Sequence, residues 1–467
     1  MSQLRARVVI IGGGPGGYEA ALVAAQLDAK VTVIEQDGLG GACVLSDCVP
    51  SKTLIATSSM MADLEGAHGL GIRFDAGNAD GLARSTHASA DAPRIYSRIR
   101  GLAHAQSADV ASRLAAEGVE VIIGRGRLLR PGVVAVGNTE LAADTVLIAT
   151  GARPRVLDDA IPDGERLLTS RQIYDIDELP SDLIVVGSGV TGAEFASAFQ
   201  ALGSQVTLVS SREHVLPNED TDAAMVVEDV FRRRGMRVLD RSRATFARRT
   251  SDGVQVGLAD GRVVHGSHCL LTVGMAALTS ELGLESAKVE LDQRGFVTVD
   301  RVSRTSTPGV YAAGDCTGVW MLASVAAMQG RIAMWHALGE AVHPLRRRNV
   351  AATIFTEPEI ATVGVSQRDL DRGAVSGRVV KLPLATNARA KMDGFSDGFV
   401  KLFARRGSDT VLGGVIVAPR ASELILGVSL AVEQQLTVDQ VAQTFAVYPS
   451  LSGSVTEAAR KLMLPME

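Results

Sequence analysis

Hydrophobic residues in the first part of the chain fall into short continuous runs separated by longer alanine-rich stretches. The runs at residues 8–11 and 183–186 contain only valine, isoleucine and leucine, and those at 31–34 and 206–209 include one threonine each. Continuous apolar runs of this length are typical of strands buried on both faces of a parallel sheet. Because the alanine-rich stretches match helices, the pattern predicts an α/β fold.

This pattern repeats at an offset of 175 residues. Residues 8–17 and 183–192 both run from a strand through G-x-G-x-x-G into a helix, and both return to a second strand, at 30–35 and 205–210. In this motif the first glycine permits a tight turn, the second lets backbone approach a pyrophosphate, and the third lets helix and strand pack closely. The helix N-terminus offers free N–H groups and a positive dipole end to phosphate. The repeat predicts two dinucleotide sites, at Gly12, Gly14 and Gly17 and at Gly187, Gly189 and Gly192.

The second strands of the two repeats end differently. Glu35 ends the first, where a carboxylate accepts a hydrogen bond from a ribose 2′-hydroxyl. The matching position is Ser210, followed by Ser211 and Arg212, so no carboxylate repels a 2′-phosphate and a guanidinium is available to bind one. This difference favours NADPH over NADH, and a surface arginine in a loop is the alternative interpretation.

The pattern changes after residue 275. A strand pair is predicted at residues 297–299 and 310–313, leading to Gly314-Asp315 and a helix that runs through Leu338.

Three consecutive arginines at residues 346–348 are interpreted as a solvated linker. Beyond them, β-rich segments such as residues 399–403 and 414–417 precede helices. That order predicts a separate α+β domain.

The composition fits this organisation and excludes several other classes. With 467 residues, 46% of them hydrophobic, the chain is long enough for about three domains of roughly 150 residues. Abundant glycine (48 residues) and sparse aromatic residues (4%) suit α/β domains. A net charge of −5 provides no basic field for nucleic acid. No signal-peptide pattern precedes the first strand and no apolar run approaches roughly 18 residues, so we expect a cytoplasmic protein without a membrane span.

Cys43 and Cys48 form a close pair among four cysteines, too few for a secreted disulfide framework. Such a pair indicates redox or metal chemistry, and metal is the weaker choice because no His or Cys cluster lies nearby to complete four ligands. Five residues of regular helix rise about 7.5 Å, more than the roughly 7 Å that a disulfide allows between Cα atoms. A bridge would therefore require a distorted turn, which Pro50 and the preceding glycines favour. Two unpaired thiols are the alternative.

The cysteines lie in a C-x4-C-x-P-S-K element within residues 40–52. With this element the chain resembles the pyridine nucleotide–disulfide oxidoreductases, a family that includes lipoamide dehydrogenase, glutathione reductase and mercuric reductase. Residues 148–154, 313–315 and 355–364 are similar to other signatures of the family, so the resemblance covers nearly the whole chain.

The resemblance implies two Rossmann-like dinucleotide-binding domains, for FAD and NAD(P), and a C-terminal α+β dimerisation domain. The FAD-binding domain would comprise residues 1–155 and 276–345, the NAD(P)-binding domain residues 156–275, and the dimerisation domain residues 346–467. Family members are homodimers, and each active site takes residues from the partner chain.

The resemblance also implies roles for individual residues. Cys48 would face the flavin and Cys43 would meet a disulfide substrate. Lys52, paired with Glu194, would lie beside the flavin ring near the nicotinamide, and Asp315 would hold the ribityl chain. FAD would contact Gly12, Gly14, Pro15, Gly16, Gly17, Glu35, Lys52, Gly126, Thr150, Gly151, Ala152, Asp315, Met321, Leu322, Ala323 and Ser324. NADPH or NADH would contact Gly187, Ser188, Gly189, Val190, Thr191, Gly192, Glu194, Ser210, Ser211, Arg212 and Gly274.

One part of the family pattern is missing near the C-terminus. In the disulfide reductases of the family, the partner chain supplies a His-x-x-x-x-Glu acid–base pair. The corresponding residues here are Tyr448 and Gly453, in an alignment anchored by Pro449 and the Leu-Ser that follows. None of the eight histidines lies after His343, so a shift in register cannot restore the base.

This substitution changes the chemistry that we expect. Thiol–disulfide exchange needs a thiolate attacker and a protonated leaving group, and an imidazole with a pKa near 6.5 serves both at neutral pH. A tyrosine side chain, with a pKa of about 10, is a poor base, and losing a general acid–base lowers the rate roughly 10²–10⁴-fold. Asp47, where the family usually has glycine, adds negative charge beside Cys48 and disfavours its thiolate.

The sequence therefore predicts an NAD(P)H dehydrogenase that passes electrons through FAD to a quinone or similar small acceptor, because a flavin can release electrons singly or in pairs. The cysteines would be an optional electron store, and Tyr448 would leave an open acceptor site. The alternatives are a disulfide reductase with a non-histidine acid–base, a transhydrogenase, and a redox-sensing subunit of a larger assembly.

Overall fold

The computed structural model describes residues 5–72 and 88–464. The chain divides into two compact units. Unit 1 contains the described part of Met1–Thr53 together with Tyr96–Arg155 and Gly274–Arg346. Unit 2 contains the described part of Leu54–Ile95, with Val156–Val273 and the described part of Arg347–Glu467.

The helices and strands follow the alternation that the hydrophobic runs predict. Up to residue 154 they are β1 (Arg7–Ile11), α1 (Pro15–Gln26), β2 (Lys30–Glu35), α2 (Gly41–Leu45), α3 (Cys48–Gly66), α4 (Ala92–Ala116), β3 (Glu120–Ile123), β4 (Gly126–Arg130), β5 (Val133–Val136), β6 (Thr139–Ala142), β7 (Thr145–Ile148) and β8 (Ala152–Pro154). From there to residue 337 they are β9 (Leu167–Thr169), β10 (Asp182–Val186), α5 (Val190–Ala201), β11 (Gln205–Val209), α6 (Thr221–Arg233), β12 (Arg237–Leu239), β13 (Ala244–Arg249), β14 (Val254–Leu258), β15 (Val263–Gly266), β16 (His268–Leu271), β17 (Met275–Ala277), β18 (Val310–Ala312) and α7 (Ala323–Ala337). The remaining elements are β19 (Ala352–Ile354), β20 (Glu359–Gly364), α8 (Gln367–Asp371), β21 (Gly377–Pro383), α9 (Ala388–Met392), β22 (Phe399–Arg405), β23 (Val411–Ala418), α10 (Ala421–Glu433), α11 (Val438–Ala442) and α12 (Gly453–Met463).

Unit 1 is built on a parallel sheet in the order β18-β7-β1-β2-β3. Its strands are apolar along nearly their whole length because helices cover the sheet. Helices α1 and α7 pack closely, since a Cβ atom added at Gly330 would lie 2.1 Å from the carbonyl oxygen of Gly16. Strands β4, β5 and β6 form a separate antiparallel sheet inserted before β7.

Unit 2 contains a second parallel sheet in the order β9-β16-β10-β11-β12. In this order β16, β10, β11 and β12 occupy the places of β7, β1, β2 and β3 in unit 1. The first pair of strands keeps the same register, with Ile11 opposite Ile34 in unit 1 and Val186 opposite Val209 in unit 2. An antiparallel sheet of β13, β14 and β15 again precedes the fourth strand, β16. The repeat predicted from the sequence is therefore a repeat of structure.

Unit 2 also contains an antiparallel sheet in the order β19-β20-β23-β22-β21. Buried side chains of β22 and β23, among them Val400, Leu402 and Ile416, form one core with Val428 of α10 and Leu462 of α12. This arrangement confirms the predicted α+β segment after the arginine run.

The strand pair predicted at residues 297–299 and 310–313 is wrong in its first member. Val310–Ala312 forms β18, but Val297 makes only an isolated bridge with Leu291. The Val297 N–H donates to the carbonyl of Cys316, whereas the Thr298 N–H donates to the carbonyl of Glu290. Because the pairing between Leu291 and Val297 is a single isolated bridge, it does not extend into a ladder.

None of the helices in the described part of the chain is both long enough and apolar enough to cross a membrane.

Candidate active site

The first glycine turn has the geometry of a phosphate cradle. Gly12 has φ +106°, and a Cβ atom there would lie 2.3 Å from the carbonyl oxygen of Ala149. A Cβ atom at Gly17 would lie 1.9 Å from the carbonyl oxygen of Gly12, so only glycine fits at either position. Helix α1 starts at Pro15 with Gly14 as its N-cap, and no side chain caps it. No side chain therefore competes for the N-terminus of this helix, which suits a pyrophosphate.

Glu35 is held at the carboxyl end of β2 by the backbone. Its carboxylate is buried and accepts a hydrogen bond from the Gly13 N–H at 2.6 Å. The N–H groups of Gln36 and Asp37 donate to its other oxygen at 2.8 Å. These bonds fix the carboxylate beside the glycine turn, where a ribose hydroxyl of a bound dinucleotide would meet it.

The other residues assigned to FAD lie in unit 1. Gly126 starts β4, and a Cβ atom there would meet Ile11 at 2.8 Å. The Thr150 hydroxyl donates to the carbonyl of Leu278 at 2.7 Å. Gly151 follows, and Ala152 starts β8. The remaining four lie at the N-terminus of α7: Met321 and Leu322 come just before the helix, and Ala323 and Ser324 are its first residues.

Asp315 begins a short 3-10 helix that follows β18 after Ala313 and Gly314. This turn is fixed by a residue that the sequence does not single out. The wholly buried side chain of Gln329, on α7, accepts a hydrogen bond from the Gly314 N–H at 2.9 Å. Its amide nitrogen also lies 3.4 Å from the Thr317 hydroxyl. Gln329 thus joins α7 to the turn that presents Asp315, and its sequence neighbourhood gives no sign of this contact.

The second glycine turn reproduces the first almost atom for atom. Gly187 has φ +110°, and a Cβ atom at Gly192 would lie 1.8 Å from the Gly187 carbonyl oxygen. Gly189, the N-cap of α5, has φ −72° and ψ −174°, against −69° and −176° at Gly14. Val190 and Thr191 open the helix, again with no side-chain cap. This turn therefore fits a second dinucleotide.

The ribose ends of the two turns differ because a pair of hydroxyls replaces the amide and carboxylate pair. The Ser188 hydroxyl lies 2.7 Å from the hydroxyl of Ser210, at the positions that match Gly13 and Glu35. Ser210 is wholly buried, and its hydroxyl also bonds the backbone of Arg212. Ser211 and Arg212 are exposed at this edge of the sheet. The side chain of Ser210 therefore shapes the loop from inside.

Glu194 lies on the buried face of α5 in unit 2. Its carboxylate accepts a hydrogen bond from the Phe355 N–H at 2.9 Å. This bond orients the carboxylate, and no sequence pattern predicts it. Gly274, assigned to the same nucleotide, lies in unit 1, and its carbonyl accepts the Arg155 N–H at 2.9 Å. The pairing predicted between Lys52 and Glu194 stays a prediction.

The two neighbouring cysteines lie on different helices because the chain breaks between them. Helix α2 ends at Leu45, Ser46 has a non-helical φ of −145°, and α3 starts at Cys48. The break allows a hydrogen bond between the thiols of Cys43 and Cys48, which are not joined by a disulfide. The regular helix is thus interrupted between the cysteines, as a bridge would require, but the two thiols are free.

The two thiols ionise as a pair. The hydrogen bond from Cys48 lowers the pKa of Cys43, against the opposing effects of burial and of the Asp47 and Asp315 charges. The same hydrogen bond, together with burial and the charges of Cys43 and Asp47, raises the pKa of Cys48. Lys52, one turn along α3, favours the thiolate at both. The first proton therefore leaves from Cys43 and the second is retained on Cys48, and the predicted effect of Asp47 is confirmed.

The other two cysteines are chemically different. Burial raises the pKa of Cys316 to about 11 and that of Cys269 to about 12. Thiols with such pKa values are almost fully protonated at neutral pH and react slowly.

Tyr448 lies in the loop between α11 and α12, before Pro449, and its side chain is 84% exposed. Gly453, the position of the missing carboxylate, is the first residue of α12. Its N–H donates to the Ser450 hydroxyl at 3.1 Å. The loop therefore offers a phenol at the first position and only backbone at the second.

Comparison with known proteins agrees with this geometry. The chain matches the pyridine nucleotide-disulphide oxidoreductase family over residues 6–330 and the dimerisation domain of that family over residues 350–459. The chain belongs to this family and is an FAD-dependent oxidoreductase that uses NAD(P)H. The predicted fold class and cofactors are confirmed.

Individual relatives cover nearly the whole chain. A Mycobacterium tuberculosis protein named NAD(P)H dehydrogenase (quinone) is 56% identical over 471 residues, covering 98% of this chain and 94% of the relative. The crystal structure of LpdA from Mycobacterium tuberculosis superposes with a TM-score of 0.92 at 54% identity, covering 98% of this chain and 100% of that one. A dihydrolipoyl dehydrogenase from Chlamydia pneumoniae is 32% identical over 455 residues, covering 97% of this chain and 95% of the relative.

Proposed function

We propose that this protein passes electrons from NADPH or NADH, through FAD, to a quinone or a similar small acceptor. The observation that carries the proposal is the Tyr448–Gly453 pair in place of the imidazole and carboxylate that the family's disulfide reductases use. Without an acid–base group, disulfide exchange is slow. Electron transfer to a quinone does not need that group. The name of the 56% identical relative supports the same acceptor.

The residues that bind FAD in this proposal are those of the first glycine turn and its neighbours. The turn and the start of α1 bind the pyrophosphate, Glu35 binds a ribose hydroxyl, and Asp315 holds the ribityl chain. When bound, FAD supplies the capacity to accept a hydride and to release electrons singly or in pairs. Lys52 and Glu194 position the ring and the nicotinamide.

The second glycine turn binds the pyrophosphate of the nicotinamide cofactor through the start of α5. Ser211 and Arg212, exposed at the edge of the sheet, recognise a 2′-phosphate, which favours NADPH. In this proposal residues 1–155 and 276–345 form the FAD domain, residues 156–275 the NAD(P) domain, and residues 346–467 the dimer interface of a cytoplasmic homodimer.

A disulfide reductase is the second candidate, and the thiol pair favours it. Cys43 and Cys48 are hydrogen-bonded and the pKa of Cys43 is lowered, as an attacking thiolate requires. Tyr448 would then have to supply protons in place of the imidazole.

Steady-state assays of the FAD-loaded dimer separate the two candidates. Menadione, lipoamide and oxidised glutathione are compared as acceptors, with NADPH and NADH as donors. We expect rapid menadione reduction and weak turnover of both disulfides. We also expect the variant Cys43→Ser to keep most of its menadione activity, because the thiols lie off the path. Efficient lipoamide turnover that the variant loses would assign the protein to the disulfide reductases instead.

A further inference from the structure

A second arginine, Arg241, lies at the same edge of the sheet as Arg212. Strands β11 and β12 are parallel neighbours, with Val209 opposite Leu239 at their carboxyl ends. The two arginines follow these strand ends. The Arg241 N–H donates to the Arg212 carbonyl at 2.8 Å, and the Ser242 N–H donates to the Ser210 carbonyl at 2.7 Å. The two turns are therefore joined by their backbones, next to the second glycine turn.

The charges at this edge are not balanced. The Arg241 guanidinium is ion-paired with Glu213, and the two side chains are 71% and 63% exposed. Arg212 is exposed and has no ion-pair partner among the residues that the structure describes. The neighbouring carboxylate of Asp240 is paired with Arg232 instead. Glu213 is therefore the one carboxylate paired with either Arg212 or Arg241 among the residues that the structure describes. An exposed pair of this kind has a weak interaction, so a stronger anion can displace the carboxylate.

We propose that Arg241 is a second guanidinium ligand for the 2′-phosphate of NADPH, and that Glu213 is the carboxylate this phosphate displaces. The inference rests on the proposed use of NADPH and adds a residue that sets its specificity. A 2′-phosphate carries nearly two negative charges and three acceptor oxygens, enough for Arg212 and Arg241 together. NADH has no such group, so Arg241 keeps its pair with Glu213 when NADH binds.

The buried hydroxyl pair of Ser188 and Ser210 supports this assignment. In the first turn, the carboxylate of Glu35 lies against Gly13, which has no side chain. A Cβ atom added at Gly13 would lie only 3.1 Å from that carboxylate. Ser188 has such a Cβ atom, and its hydroxyl lies 2.7 Å from that of Ser210. The second turn therefore leaves no place for a ribose-binding carboxylate that would repel the 2′-phosphate.

The test is the affinity of the FAD-loaded dimer for 2′,5′-ADP and for 5′-AMP, measured by isothermal titration calorimetry. For Arg241→Gln we expect about tenfold weaker binding of 2′,5′-ADP, the size of one lost charged contact. Binding of 5′-AMP should not change. Glu213→Gln should tighten 2′,5′-ADP binding. Arg237→Gln, at the opposite end of β12, is the matched control and should behave as the wild type. The KM for NADPH should rise about tenfold in Arg241→Gln while the KM for NADH and both kcat values stay the same.

Three results would overturn the proposal. Unchanged binding of 2′,5′-ADP by Arg241→Gln would show that its guanidinium does not reach the phosphate. Equal weakening of both nucleotides would show that the turn had been disturbed. Equal affinity of the wild type for both nucleotides would show that the proposed preference for NADPH is wrong. Since neither fragment is redox-active, these results do not depend on the electron acceptor.

Discussion

At the scale of single residues, the chemistry of the thiol pair is set by groups that the sequence places close together. These four residues lie within ten positions: Cys43 on α2, Asp47 in the break, and Cys48 and Lys52 at the start of α3. Lys52 favours thiolates and Asp47 disfavours them, so the position at which the family usually has glycine reduces the reactivity of the pair. That direction agrees with thiols that are not essential to electron flow.

Replacing Asp47 by asparagine should make the thiols more reactive. The loss of a nearby negative charge lowers the pKa of both cysteines, so the thiolate fraction at a given pH below that pKa rises. We expect the rate of alkylation by iodoacetamide to increase about five- to tenfold and its pH profile to move to lower pH. Glu290→Gln removes one exposed charge elsewhere in unit 1 and should leave the profile in place. A profile that moves equally in both variants would mean that only net charge matters.

At the scale of elements, the two glycine turns are the most constrained features of the fold. Each consists of a strand, a turn and a helix, and its third glycine packs against its first. A Cβ atom added at the third glycine would lie 1.9 Å from the carbonyl oxygen of the first in one turn and 1.8 Å from it in the other. Backbone atoms make both contacts, so neither can move without displacing the helix. The contacts explain why the motif occurs twice unchanged.

Gly17→Ala should therefore abolish FAD retention, because the new Cβ atom would push α1 away from β1. The matched variant is Gly101→Ala in α4, where an added Cβ atom meets nothing within 4 Å. That change should leave the flavin content intact and stabilise the protein by about 0.5–1 kcal/mol, since alanine favours a helix interior. Flavin absorbance per chain after gel filtration and the urea midpoint measure the two effects. Full flavin content in Gly17→Ala would contradict the close-packing argument.

The sequence predicted these elements because their determinants are local. The apolar runs, the glycine spacing and the C-x4-C element lie within a few residues of one another. The contacts that it missed join distant positions: Gln329 reaches a turn 15 residues earlier, and Glu194 is held by an amide 161 residues later. The false strand at residues 297–299 has the same origin, since a short apolar run does not determine which segment its amides will bond.

At the scale of the whole molecule, a buried ion pair connects two parts of unit 2: helix α6 and the antiparallel sheet. Lys401 of β22 donates to both oxygens of Asp220, the N-cap of α6, at 2.9 and 2.8 Å. Their side chains are 3% and 4% exposed. Burial raises the pKa of the neighbouring Asp222, but hydrogen bonds from Lys401 and Lys381 outweigh it and the net pKa is lowered. This contribution to stability is present at neutral pH and is lost as the pH falls through the lowered pKa.

Lys401→Met should lower the free energy of unfolding by about 3–5 kcal/mol, because it leaves a buried carboxylate unpaired. An exposed pair between the same two regions is the control: Arg233 of α6 bonds Asp397 at 2.7 Å, with side chains 52% and 41% exposed. Asp397→Asn should lower the free energy of unfolding by less than about 1 kcal/mol. Urea unfolding of the FAD-loaded protein compares them. Equal losses would show that burial adds nothing to the bridge.

The exposed loop before α12 has a consequence for the newly synthesised chain. Phe445 is as accessible as a free side chain, at 103%, and Val447 is 78% exposed, in the domain through which this family pairs. A newly made chain therefore exposes these two apolar side chains to solvent. Apolar side chains that are exposed during synthesis favour aggregation and chaperone binding.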